Sequence, residues 1–352
     1  MSSPEDTPQN IEPLAPAPGE ADRAAESGRL SDETSSRRWR NSSIRVGSYV
    51  IGLLLLIAAG YVIWQNSGAL EAAGRAASRA SRVQIGALLL LPIINWLLTS
   101  GVLLTLTRRY GRVPASDMHL LVGAAWLLNY LPLKPGLFGR VAYHKLVHQI
   151  PVRDSVRVML TTLACGGASV FIFIAWMGCL GFALSEFGGG KSLGVFFASV
   201  LLVLPALMAW LQSLSTPREP EGTASGPILI ATILRLGDIG VWSMRFALAF
   251  SILGAPQPAM FVLAIAAATQ AASLLPIQIG LSEWVCGLTL GALALSSGSD
   301  APNDVTPLLA LGLAAGLLNR AAELVIALPV GLVSMAILAK RKRKVGPLRP
   351  TA

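Results

Sequence analysis

Two short stretches place Pro, Gly, amide and ionisable side chains within a few residues of one another inside otherwise apolar sequence. NYLPLKPGLFGR (129–140) holds Asn129, Pro132, Lys134, Gly136 and Arg140; LPIQIGLSEW (275–284) holds Pro276, Gln278, Gly280 and Glu283. Pro removes an amide donor and Gly loosens the backbone. Such breaks survive at membrane depth only where protein or water covers the freed polar groups. The chemistry these residues suit is binding. Arg140 and Lys134 match a lipid phosphate, which Arg grips with a planar fork. Glu283 can pair with Arg140 in the empty protein, or carry a coupling proton. The plainer alternatives are a cytoplasmic topology charge for Arg140 and a first-turn helix acid for Glu283.

Other ionisable groups interrupt apolar runs. Arg235 and Asp238 are three apart, as are Arg320 and Glu323. On a helix each pair shares a face, so each reads as an intramembrane ion pair. Arg245 has no in-register acid and is expected to snorkel to an interface. His144 and His148 have helical spacing but no nearby acid, and His119 stands alone at an expected interface, so no metal site is expected. Cys165, Cys179 and Cys286 lie in apolar runs and read as small packing residues. Trp64, Trp96, Trp126, Trp176 and Trp210 read as belt or core residues. There is no G-x-x-x-x-G-K-[ST], G-x-S-x-G or H-E-x-x-H pattern, and no cofactor is expected.

The elements that must position these residues are apolar helices. Of 352 residues 53% are hydrophobic and only 13% charged, about half the usual charged share of a soluble domain. This composition excludes a soluble enzyme and a disulfide-stapled scaffold, and implies an all-α polytopic membrane protein. Residues 46–70, 84–107, 158–185, 192–213 and 246–282 contain no charge; 227–253 and 305–339 contain only the interruptions named above. Residues 1–43 are acidic and rich in Pro and Ser, and read as a disordered tail. Residues 37–352 carry 26 basic and 11 acidic groups. That excess fits cytoplasmic loops and anionic headgroups rather than nucleic acid, because no basic run is interleaved with stacking aromatics. Arg37, Arg38, Arg40 and Arg45 before the first run, and KRKRK (340–344) opening a basic tail over 340–352, place both termini in the cytoplasm. A multi-pass protein of the cell (inner) membrane follows, with a helical domain over 44–339.

The two broken stretches also resemble each other. At an offset of 144, Leu131, Pro132, Gly136 and Leu137 match Leu275, Pro276, Gly280 and Leu281, and Lys134 faces Gln278. The same offset pairs 84–107 with 228–251 and 158–185 with 302–329. This gives repeat halves of about 84–185 and 228–329, and positive-inside counting runs them in opposite directions. Interrupted segments at matching places in two halves mark a transporter's substrate site. Two re-entrant hairpins, one from each face, leave six full crossings; Pro-kinked helices that each cross make eight.

In order and spacing these motifs resemble the lysylphosphatidylglycerol synthase transmembrane region, the flippase-like integral membrane family. NYLPLKPGLFGR is similar to its Asn–Pro–Gly–Arg motif, LPIQIGLSEW to its Pro–Gly–Glu motif, and NRAAELVIALPVGLV (319–333) to its final helix. Leu137 stands where the family often has an acid, and Gln278-Ile279 where it is Gly-rich. The resemblance spans about 46–340 and covers the membrane half alone, without the aminoacyl-transferring domain. It implies translocation of an anionic or polyprenyl-linked membrane lipid between leaflets. The alternatives are an accessory partner of a separate lipid synthase or glycosyltransferase, and an integral-membrane enzyme acting on a lipid phosphate.

Overall fold

The structure, a computed structural model, describes residues 75, 78–130, 135–186, 193–215, 225–273, 275, 280–296 and 306–345, with backbone alone at 178–186, 193–199, 212–215 and 342–345. The acidic segment 1–43, the apolar run 46–70, Trp64, Pro132, Lys134, Pro276 and Gln278 lie outside the described residues.

Among the described residues there are nine α-helices and no strand. They are α1 (Arg82–Thr107), α2 (Ala115–Leu128), α3 (Pro135–Val147), α4 (Val152–Glu186), α5 (Leu193–Ser215), α6 (Ser225–Ile252), α7 (Ala259–Ser273), α8 (Leu281–Ser296) and α9 (Thr306–Val345). α1, residues 152–177 of α4, α6 and residues 306–341 of α9 are long and apolar enough to cross a membrane. A bilayer core of about 30 Å needs roughly 20 helical residues. α2, α7 and α8 are apolar but have only 14, 15 and 16 residues. The fold is that of a helical membrane protein. Large apolar side chains such as Leu90, Phe171, Leu204, Leu288 and Val333 are exposed on several helices, as a lipid-facing surface requires.

Helix ends follow local chemistry. Ser81 caps α1 reciprocally with Gln84, each side chain bonding the other's backbone amide. The charge-free run 246–282 holds two interruptions. α6 stops at Ile252 and the chain turns through Leu253–Pro258, where Gly254 has φ 73°. The second interruption ends at Gly280, whose φ of 81° suits a residue without Cβ. Pro135 opens α3, a position where its missing N–H costs nothing. The basic run 340–344 does not leave the last helix at 339; it continues α9 to Val345.

α1 and α6 run antiparallel. Gln84 near the start of α1 donates to Ser251 near the end of α6 (3.1 Å), Asn95 donates to Asp238 (2.7 Å), and Gly101 packs on Leu234. α9 is covered along its length by two shorter helices, also antiparallel to it. α8 packs on its first half, where a Cβ at Gly312 would lie 2.5 Å from the Gly287 Cα. α2 packs on its second half, where a Cβ at Gly331 would lie 2.4 Å from the Leu127 Cβ, and Asp117 pairs with Arg341. The end of α2 and the start of α8 therefore both arrive at the middle of α9. The start of α3 folds back on the last turn of α2, with the Gly136 Cβ position 2.4 Å from the Ala125 carbonyl oxygen. One apolar cluster joins α1, α2, α5 and parts of α4 and α6; a second joins α7, α8 and other parts of α4, α6 and α9.

Candidate functional site

Six ionised side chains form one buried network where these helices meet. Arg235 reaches Asp238 Oδ2 at 3.3 Å, one turn along α6. Asn95 on α1 donates to Asp238 Oδ1, and its own Oδ1 accepts from Arg245 at 3.0 Å. Arg245 also reaches Glu323 Oε2 on α9 (3.0 Å) and the Asn319 carbonyl (3.2 Å), with its guanidinium 4.4 Å from the Trp242 ring. Glu323 Oε1 accepts from the Trp126 indole of α2 at 2.9 Å and lies 3.9 Å from Arg320. Arg320 Nε donates to Glu283 Oε1 on α8 at 3.1 Å. Three arginines thus face three carboxylates, and the formal charge of the set is zero. Asp238, Arg245, Glu283 and Glu323 are 4%, 1%, 3% and 6% exposed. A buried charge is tolerable only when paired and hydrogen-bonded, and the network meets that condition almost throughout.

The satisfaction is uneven. Glu323 has three partners spread over both oxygens. Glu283 uses one oxygen on Arg320, while its buried Oε2 has no hydrogen-bond partner among the described residues; the same is true of Asn319 Oδ1 and Asn129 Oδ1. Arg320 has a second role: its guanidinium lies 5.4 Å from the Tyr130 ring, a cation–π distance. Tyr130 is the last described residue before the first broken stretch, and Glu283 sits at the head of α8, just after the second.

The structure brings the expected residues together differently from the sequence reading. Arg245 does not snorkel; it is the largest fully buried side chain and joins α1, α6 and α9. Its acid lies 78 residues away, so spacing along one helix could not reveal it. Arg320 lies nearer Glu283 than Glu323, although both acids are in reach. Glu283 meets Arg320 rather than Arg140. Arg140 lies on α3, half-buried beside a cleft bounded by α1 and α4, and forms no ion pair among the described residues. Trp126 serves the network instead of a belt. His119 is half-buried, with edge-on Trp96 and Trp210 rings beside it.

The two helical histidines do have an acid nearby, on another element. His148 Nε2 is 3.5 Å from Asp117 Oδ2, and the His144 and His148 Nδ1 atoms are 3.3 Å apart. Burial, then the His148 and Arg140 charges, pull His144 down to about 3, so its ring is neutral at pH 7. Among the described residues no group of three His, Cys, Asp or Glu side chains is arranged to hold a metal ion.

The helices and the buried charge network define a class, a helical membrane protein with a polar centre. Comparison with known proteins finds no matching family model, no matching curated protein and no matching solved structure.

Proposed function

We propose that this protein moves an anionic or lipid-linked amphiphile between the leaflets of the cell membrane, with both termini cytoplasmic. The observation that carries this reading is the convergence on Arg320: one guanidinium touches Tyr130 at the entry to one broken stretch and Glu283 at the exit of the other. Broken segments from two halves that meet at a charged point near mid-membrane are the plan of a secondary transporter.

An inverted repeat is supported at the level of elements. α6 begins 143 residues after α1, and α7 begins 144 after α2. α8 follows α3 by 146, and α9 follows α4 by 154. The contacts correspond as well. α2 touches α9 as α7 touches α4, α3 touches α4 as α8 touches α9, and α1 touches α6, its own counterpart, in antiparallel. α2, α7 and α8 span only about 21–24 Å at ~1.5 Å per residue, too short to cross alone. That favours two re-entrant hairpins, α2–α3 and α7–α8, and six full crossings made by 46–70, α1, α4, α5, α6 and α9. In this reading Glu283 holds Arg320 in the empty protein, and an anionic substrate group displaces it. The substrate stretches then comprise Asn129, Pro132, Lys134 and Gly136 with Pro276, Gln278, Gly280 and Glu283.

Purified full-length protein in vesicles containing fluorescent phosphatidylglycerol, or a fluorescent polyprenyl phosphate, tests the reading. A membrane-impermeant reductant should bleach more than the outer-leaflet share in wild-type vesicles, and only that share with Arg320→Gln. Bleaching equal to protein-free vesicles for both probes would overturn it.

A further inference from the structure

The network leaves Arg140 unused, and its surroundings define a second site. A cleft between α1, α3 and α4 is lined by Arg140, His144, Thr107 and Ser155, with Leu103 and Met159 among its apolar walls. Its lining includes no carboxylate. The Ser155 hydroxyl is fully enclosed and has no hydrogen-bond partner, although the residue is only 5% exposed. An enclosed hydroxyl without a partner costs about 1–3 kcal/mol.

We infer that this cleft binds a phosphate group, held by the Arg140 guanidinium and the Ser155 hydroxyl. Phosphate offers several acceptor oxygens, which suits a planar guanidinium fork and a hydroxyl donor at once. His144, neutral at pH 7, can add a hydrogen bond without adding charge. Burial and then the positive charge of Arg235 lower the Arg140 pKa, the mark of a cation lacking an anion beside it. The apolar walls fit a phosphate carried on an acyl or polyprenyl chain, while the polar contacts alone fit free phosphate. The site does not depend on translocation; it would stand equally in a protein that moves nothing.

Thermal stabilisation of the purified full-length protein in neutral detergent tests it, with dioleoylphosphatidylglycerol, dioleoylglycerol and inorganic phosphate as probes. Phosphatidylglycerol should stabilise the wild type and dioleoylglycerol should not. Stabilisation by phosphate as well assigns the site to the phosphate group alone; its absence assigns it to a phospholipid. Arg140→Gln should weaken the apparent affinity at least about tenfold, the loss of one charge-assisted contact. Ser155→Ala should weaken it too while leaving the unliganded midpoint unchanged or higher, because it removes an unsatisfied hydroxyl. This second variant keeps the test decisive if Arg140→Gln fails to fold. Equal loss with Arg153→Gln, an exposed charge near the start of α4, would mean diffuse attraction to a basic surface. That result, or unchanged affinity in both cleft variants, or no stabilisation by any phosphate-bearing probe, would overturn the assignment.

Discussion

Arg245 is the residue on which the buried network depends most. Its guanidinium satisfies Asn95, the Asn319 carbonyl and Glu323 together, so its removal strands an acid and an amide in an apolar interior. Breaking a buried pair by deleting one partner costs about 3–5 kcal/mol, whereas replacing both by apolar groups can be near neutral. Arg245→Met should therefore lower the thermal midpoint in detergent sharply, and adding Glu323→Leu should recover part of the loss. A midpoint unchanged by Arg245→Met would show that the network does not hold the fold. His144 gives a pH signature with a defined sign. Its folded pKa of about 3 lies below the ordinary value of about 6.5, so the unfolded chain binds the extra proton first. Its contribution is complete above pH 6.5 and is lost as pH falls towards 3. The midpoint should drop between pH 7 and pH 5, and drop less in His144→Asn; identical profiles would contradict the neutral, enclosed ring.

At the scale of elements, close backbone approach decides the packing, and two glycines on one helix separate it from mere helix propensity. A Cβ at Gly136 would strike the Ala125 carbonyl at 2.4 Å, while Gly139, three residues on, has nothing within 4 Å. Gly136→Ala should destabilise by about 1–3 kcal/mol, the usual cost of overpacking. Gly139→Ala should be neutral or slightly stabilising, since Ala is the better helix former. Equal effects in chemical unfolding would mean that α3 does not fold back on α2. Helix extents were largely legible, because a charge-free run has few other ways to satisfy its backbone: 84–107 anticipates α1 and 192–213 anticipates α5 within two residues. The run 246–282 was not legible as one element. Gly254, Pro256 and Pro258 end α6 and restart the chain as α7, and these turn residues carry no charge to mark the boundary. The candidate site was legible in membership more than in pairing. Asp238, Glu283, Arg320 and Glu323 stand out as charges in apolar sequence. Asn95 and Trp126 do not, and only the crossing of α1 and α2 with α6 and α9 gives them their role.

For the whole molecule, the central claim is that the two broken stretches enter from opposite faces and meet at Arg320. The antiparallel contact of α1 with α6, and the way α2 and α8 together line α9, are what such an arrangement requires. They also explain why every charged member of the network comes from α6, α8 or α9, while α1 and α2 supply neutral partners. A neutral network can sit at depth in the empty protein, yet reorganise when an anion competes for Arg320. The most direct measurement is two-sided cysteine labelling. With Cys165, Cys179 and Cys286 replaced, Lys134→Cys and Gln278→Cys are each exposed to a membrane-impermeant thiol reagent from one face and then the other. The inverted arrangement predicts that position 134 labels from the cytoplasm and position 278 from outside. Labelling of both from the same face, or of neither from any face, would contradict it.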